Sequence, residues 1–314
     1  MTFISEQKQR AFFKSFCSIV RLKLYPDFAK PPSTDEEIKL TMKPYIDAGM
    51  PGAIGSIDGV HVRLWRVAYN LKWNNVGKEG YPSRVFLVSC SNTTEIYSCT
   101  KSQDGNNSDH DVAVVDPFLK SFQDGGRYSD IEWQYYDKTM KKCTAKGLWL
   151  LTDSGFPKFK FLMGTDKIAI LEEEIRFSKM VESLRKNVER CFGSLKARFQ
   201  ILRFGLSEKY YKDVDDVFFT CCALHNYILH QRGFSTKKEL LEEEVQIVQR
   251  LYHPLPSDRV PKTTINKRQS KVDPEFSFRR GILIKHFNLM FFKKKVVWTK
   301  YKKIQCGDCE EENY

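Results

Sequence analysis

The sequence predicts an α/β protein in which an antiparallel three-strand meander leads, through a helix and one further strand, into a long helix. Short apolar runs closed by turn residues, such as SRVFLVSC and LWLLTD, read as strands. Apolar residues from Phe177 to Leu202 step by three or four, the period of a helix laid on a core. No apolar run reaches the length of a membrane span, so the periodic segments have a protein core as their destination.

Residues 1–48 read as helix-rich. EQKQRAFFKSFCSIVRLKL is followed, after the turn-forming KPPST, by TDEEIKLTMKPYI, with Thr34 placed as an N-cap ahead of acids in the first turn. The next segment, 49–232, carries the α/β pattern. Its first strand is AIGSID, to Asp58, continuing into GVHVRLW; SRVFLVSC follows, and beyond the turn SNTT comes EIYSCTKS. In DHDVAVVDPFLKSF, the spacing of Val112, Val115, Phe118, Leu119 and Phe122 predicts a helix. LWLLTD is the next strand, and it stops at Asp153 because Ser-Gly and a proline come directly after, which puts this acid on the rim of a sheet. The long helix of Phe177, Met180, Val181, Leu184, Val188, Phe192, Leu195, Phe199 and Leu202 follows, then the apolar helix VDDVFFTCCALHNYIL. Within it His225 reads as a hydrogen-bonded core histidine, and Cys221 and Cys222 as small core residues.

The pattern weakens from Gln231, and 233–314 reads as a basic, partly helical extension. Between Asp258 and Lys303 fourteen basic residues face three acids, with Phe276, Phe278, Phe287, Phe291, Phe292, Trp298 and Tyr301 interleaved. That composition suits either a solvated amphipathic helix or a nucleic-acid contact surface. The whole chain carries a net charge of +12 and a pI near 9.1, which favours an anionic partner. Nine scattered cysteines suit reduced intracellular thiols, and CGDC at 306–309 lacks the second pair a zinc site needs. MTFISEQKQR is too charged for a signal peptide, and the expectation is a soluble intracellular protein.

Three acids stand at special places: Asp58 at the end of AIGSID before a glycine, Asp153 at the end of LWLLTD, and Glu189 on the flank of the long helix. Arg185 and Gly193 lie four residues to either side of Glu189, and Lys196 seven beyond it, on one helical face. A glycine inside a helix costs about 1 kcal/mol relative to alanine, which reads either as room left for a ligand or as a tolerated neighbour of a Glu189–Arg185 surface pair. Converging carboxylates without cysteine or paired histidines favour hard, oxygen-seeking ions, Mg²⁺ or Mn²⁺, and two-metal phosphodiester chemistry.

PGAIGSIDGVHV, LLTDSGFP, RKNVERCFGSLKARFQIL and CALHN, in this order, resemble the motifs of the PIF/Harbinger-type DDE transposases. GKEGYPSRVFLV and GNNSDHDVAVVDPFL extend the resemblance over about residues 49–229, and 36 residues separate Asp153 from Glu189, close to the family interval. The resemblance implies an RNase H-like core, with parallel strands joined to the meander, in which Asp58, Asp153 and Glu189 hold two divalent ions. It further implies that Arg185, Lys196 and Lys78 steady Glu189 or meet DNA phosphates, and that Asp109 either assists catalysis or caps the helix before HDVAVV. The implied protein is a nuclear DNA endonuclease and transposase acting on transposon ends and target, with self-association. The alternatives are a catalytically silent, domesticated DNA-binding or adaptor protein and a general nuclease on the same fold. Family members carry a longer helical region with a helix-turn-helix-like unit ahead of the first motif, whereas about fifty residues stand there in this sequence. Sequence specificity is therefore expected from a Myb/SANT-like DNA-binding partner.

Overall fold

A computed structural model describes residues 4–68, 71–166, 168–207, 210–231 and 273–297. Helix α1 (Glu6–Lys23) is followed by the short α2 (Tyr25–Phe28) and by α3 (Asp35–Asp47). As expected, Thr34 caps α3: its hydroxyl accepts the Glu37 N–H at 3.2 Å while the Glu37 carboxylate accepts the Thr34 N–H at 3.0 Å. Strand β1 (Ala53–Arg63), the short helix α4 (Lys72–Asn75), β2 (Ser83–Cys90), β3 (Ile96–Cys99) and the two-residue β4 (Gln103–Asp104) come next. Then follow α5 (Asp109–Val115), β5 (Glu132–Tyr136), β6 (Lys142–Lys146), β7 (Trp149–Thr152) and β8 (Leu162–Gly164). Helices α6 (Glu172–Arg198), α7 (Gln200–Phe204), α8 (Tyr211–Gln231) and α9 (Pro274–Phe292) complete the described elements.

The strands form one six-stranded mixed sheet in the order β3-β2-β1-β7-β8, with β4 also paired to β2, and a separate hairpin of β5 and β6. β2 is antiparallel to β3 and β4, as the meander predicts. β1 and β7 are parallel, with Ser56 opposite Leu151, and β7 and β8 are parallel in turn.

Three sequence expectations need correction. The helix predicted across DHDVAVVDPFLKSF stops at Val115, because Pro117 has no N–H to donate and its ring disfavours helix at the residue before it. The Asp116 carboxylate instead accepts the amides of Phe118 (2.6 Å) and Leu119 (3.3 Å) and starts a 3₁₀ turn, leaving Val114 and Val115 exposed. The long stripe is two helices, since Phe199 leaves helical geometry (φ −114°, ψ 86°) between α6 and α7. The β5–β6 hairpin was not foreseen: EWQYY and KCTAK are half-exposed and mostly polar, so no apolar run announces them.

The chain divides into two compact units. The first comprises Met1–Pro31, Asp58–Val112 and Val188–Lys267; the second, Pro32–Ile57, Ala113–Asn187 and Arg268–Tyr314. In the first, Val60, Val62 and Leu64 of β1 pack with Phe86 and Val88 of β2, Val188, Cys191 and Leu195 of α6, and Val214, Val217 and Phe218 of α8. The rings of Phe86 and Phe218 stack at 3.9 Å. CALHN supplies the polar part of this core. His225 is fully buried and hydrogen-bonded on both nitrogens, with Arg198 donating to Nδ1 at 2.7 Å and Nε2–H donating to the Thr94 carbonyl at 3.0 Å, the core role its sequence context predicts. The Asn226 side chain accepts the Ile96 N–H (2.9 Å), donates to the Ile96 carbonyl (2.7 Å) and donates to the Phe28 carbonyl (2.8 Å).

In the second unit, the first half of β1 lies beside β7, and the Trp149 indole donates to the Pro51 carbonyl at 2.9 Å. The part of the basic extension in α9 is built into this unit. Phe276, Leu283, Ile284 and Phe287 are buried; Arg279 donates to the Gly147 and Lys146 carbonyls, and Arg280 to the Gly164 carbonyl at 2.7 Å. His286 accepts the Tyr136 N–H at 3.0 Å, and burial pushes its pKa down to about 4. Arg279 and Arg280 are thus tied to main chain, while Lys285 and Lys293–Lys295 stay exposed; the basic residues at 259–271 and 300–303 lie outside the described residues. The Cys306–Cys309 pair, Trp298 and Tyr301 lie outside the described residues.

Asn226→Ala removes three buried hydrogen bonds at once and leaves both main-chain groups of Ile96 without that side chain. The expected loss is about 3 kcal/mol, read as a lower urea midpoint at unchanged slope. A loss under about 0.5 kcal/mol would show that water replaces the amide freely.

Candidate active site

The first unit holds Asp58, Lys78, Asp109, Glu189 and Lys196. Asp58 is not at a strand end, as the sequence suggested, but in the middle of β1, because Gly59 continues the strand instead of turning it. It is half-buried, and its Oδ1 accepts the Gly59 N–H at 2.8 Å. Alternation along β1 places it in the row of Val60 and Val62, while Gly59, His61 and Arg63 form the other row.

Asp109 is the first residue of α5 but does not cap it. Ser108 does: its hydroxyl accepts the Asp111 N–H at 3.2 Å and donates to the Asp111 carboxylate at 2.7 Å. Asp109 is thereby released to lie against β1, so close that a Cβ built on Gly59 would stand 2.5 Å from its Oδ1. The glycine after Asp58 is what admits this second carboxylate.

His61, not singled out by sequence reasoning, is buried with Nδ1 3.1 Å from the Ser83 hydroxyl. Burial lowers its pKa, and Glu79, Lys78, Asp109 and Lys196 act on it electrostatically. Its signal in the sequence was only its place in GVHV, one step out of register with the valines. Burial also lowers the pKa of Lys196, with Glu79 opposing the shift. Lys196 is two helical turns beyond Glu189 on α6, and Glu189 is exposed, where the sequence left room for a half-buried flank. Lys78 is exposed in the loop after α4.

The second unit holds Asp153 and Arg185. Asp153 follows β7 directly, half-buried, as the turn residues after it predict. Its Oδ1 accepts from the Ser154 amide at 2.6 Å and the Ser154 hydroxyl at 3.3 Å. Gly164 of β8 lets the neighbouring backbone approach, since a Cβ there would sit 2.8 Å from the Asp153 carbonyl oxygen. Arg185 is half-buried on α6.

Both aspartates offer only oxygen, and in each one oxygen is oriented by the next residue's amide, the support that carboxylate ligands of hard divalent cations use. Among the described residues no group of three or more His, Cys, Asp or Glu side chains is gathered as a metal-holding cluster, and no helix is long and apolar enough to cross a membrane.

The sheet order, the acid within β1, the acid leaving β7 and the long helix after β8 define an RNase H-like α/β domain. More narrowly, the chain belongs to the DDE superfamily endonuclease family, whose model matches residues 57–226, a span that contains Asp58, Asp109, Asp153 and Glu189 and closes on Asn226. Two curated relatives carry the name "Putative nuclease HARBI1": the rat protein is 25% identical and the mouse protein 26% identical, each over 185 residues. That alignment covers 58% of this chain and 47% of each relative, so the chain spans about half the length of the proteins it matches. No solved structure matches.

Gly59→Ala should cost about 2 kcal/mol, because a methyl group 2.5 Å from an oxygen must displace Asp109 or bend β1. Combined with Asp109→Ala the cost should largely vanish, giving a coupling above about 1 kcal/mol in a double-mutant cycle of denaturation midpoints. Additive losses would place Asp109 elsewhere.

Proposed function

We propose that this protein is a metal-dependent DNA endonuclease of the Harbinger transposase type, in which Asp58, Asp153 and Glu189 hold two divalent ions, Mg²⁺ or Mn²⁺. The observation that carries the reading is the match of the DDE endonuclease family to residues 57–226, a span that contains all three acids. Asp58 lies within β1, where its carboxylate is oriented by the Gly59 amide, and Asp153 directly follows β7, where its carboxylate is oriented by the Ser154 amide. Glu189 follows on the helix after β8, at the family interval.

When bound, such ions lower the pKa of an attacking water or 3′-hydroxyl and stabilise the leaving oxygen. The carboxylates fix the position of that chemistry, and the amides of Gly59 and Ser154 keep two of them in one rotamer. In this reading Lys196, Lys78 and Arg185 meet phosphate oxygens or steady Glu189, and Asp109 assists catalysis. The partly desolvated Lys196 ammonium gains most from an incoming anion, since burial disfavours its charge without one. The reaction is hydrolysis of a DNA strand, with strand transfer by the freed 3′-hydroxyl, in the nucleus. A Myb/SANT-like partner supplies recognition of transposon ends, because phosphate attraction by a basic chain is blind to sequence.

The test is cleavage of plasmid and short duplex DNA with Mg²⁺, Mn²⁺ or EDTA. Cleavage should need the metal, and Asp58→Asn, Asp153→Asn and Glu189→Gln should each reduce it by at least about 10²-fold while DNA binding in EDTA persists. Cleavage indifferent to EDTA or to all three substitutions would sink the assignment, and binding by the wild type without cleavage would make it an adaptor. The isolated chain should prefer terminal-repeat over scrambled duplex by less than about a hundredfold, roughly 2.7 kcal/mol; a larger preference would remove the need for a partner.

A further inference from the structure

Beyond β1, the row of Gly59, His61 and Arg63 continues to Trp65, opposite in sense to the core-facing Val60, Val62 and Leu64. The Arg63 guanidinium lies over the Trp65 ring at 4.2 Å from its centroid and over the Tyr81 ring at 5.1 Å. Trp65 is nevertheless 56% exposed. Its main chain is fixed, with its N–H donating to the Leu206 carbonyl at 2.8 Å. Gly205, at φ +104°, presses close: a Cβ there would sit 3.1 Å from both the Arg63 Cβ and the Trp65 Nε1. A large ring held toward water on a fixed backbone and backed by a cation gains little for the fold.

The surrounding segment has the composition of a nucleic-acid contact. Residues 63–81 carry Arg63, Arg66, Lys72 and Lys78 against the single acid Glu79, and a second indole, Trp73, is 65% exposed. We propose that Trp65, backed by Arg63, is a stacking platform for an unpaired base of the DNA strand on which the enzyme acts. The proposal rests on the nuclease reading for its substrate. Charge complementarity selects a polyanion as occupant, and the cation beneath the indole strengthens its hold on a stacked base. At about 3.3 Å per residue Trp65 stands roughly 23 Å along the chain from Asp58, about seven base steps of 3.4 Å, so it grips flanking DNA and not the scissile bond. The platform therefore favours substrates with an open or frayed strand beside the cleavage point.

Fluorescence anisotropy in EDTA, where nothing is cut, tests this with two probes: a blunt duplex and the same duplex bearing an unpaired oligo-dT overhang. The wild type should bind the overhang probe more tightly. Trp65→Ala should weaken that probe about tenfold while leaving the blunt duplex within about twofold, and Trp65→Phe should retain most of the affinity. Unchanged thermal melting of both variants shows that the fold is intact. Equal weakening of both probes would make the indole a contact to duplex DNA, and weakening of neither would make it a plain surface residue; either overturns the platform. Because the readout is binding without metal, a failure of the carboxylate variants to affect cleavage would fall on the active-site reading alone.

Discussion

The packing of Val60, Val62 and Leu64 against Val188, Cys191 and Leu195 orients everything else in the first unit. Each fully buried aliphatic side chain contributes about 1.5–3 kcal/mol, so a one-residue slip of β1, which would turn these three to the opposite face, is strongly opposed. The same alternation decides where the polar residues go. Asp58 is held in the same row, between the buried Ser56 and Val60, and Gly59, His61, Arg63 and Trp65 are committed to the other. On α6, the turn that buries Val188 and Cys191 leaves Glu189 exposed between them. The polar side chains of the unit are thus placed by its hydrocarbon.

How much of this was legible follows from which signals are local. The end of β7 at Asp153 could be read because apolar run, acid, Ser-Gly and proline are contiguous, and the Thr34 cap because its partner is three residues away. Asp58 was misplaced within its strand because a glycine after an acid looks like a turn; only the approach of Asp109 from α5 explains why a residue without a Cβ belongs in mid-strand. Asp109 itself could not be assigned, since Ser108 and Asp109 are both good capping residues and geometry alone chooses between them. The basic extension was legible only in part. Charge counts cannot see that Arg279 and Arg280 spend their donors on main-chain carbonyls of β6, β8 and the turn at Gly147. Cations interleaved with aromatics occur also in residues 63–81, where the structure leaves two tryptophans exposed.

CALHN shows how a motif can look catalytic and be architectural. A fully buried His-Asn pair invites a functional reading, yet both side chains are consumed by main-chain and arginine partners. β3 is the end strand of the sheet order, and its unpaired groups are a template for another chain. Asn226 answers both the N–H and the carbonyl of Ile96, as a neighbouring strand would. At the other end of the order, β8 is only three residues long and offers little to pair with.

The building of α9 into the second unit has a consequence in time. That unit takes its pieces from three separated stretches of the chain, and Phe287, whose ring meets Phe177 of α6, is synthesised about ninety residues after α6 is complete. At 5–20 residues per second the ribosome needs roughly 5–20 s to cover that interval. Throughout it the apolar face of α6 that α9 later covers waits without its partner, while the pieces of the first unit up to Gln231 are completed in about its first third. The order of synthesis therefore favours completion of the unit that carries Asp58 and Glu189 ahead of the one that carries Asp153.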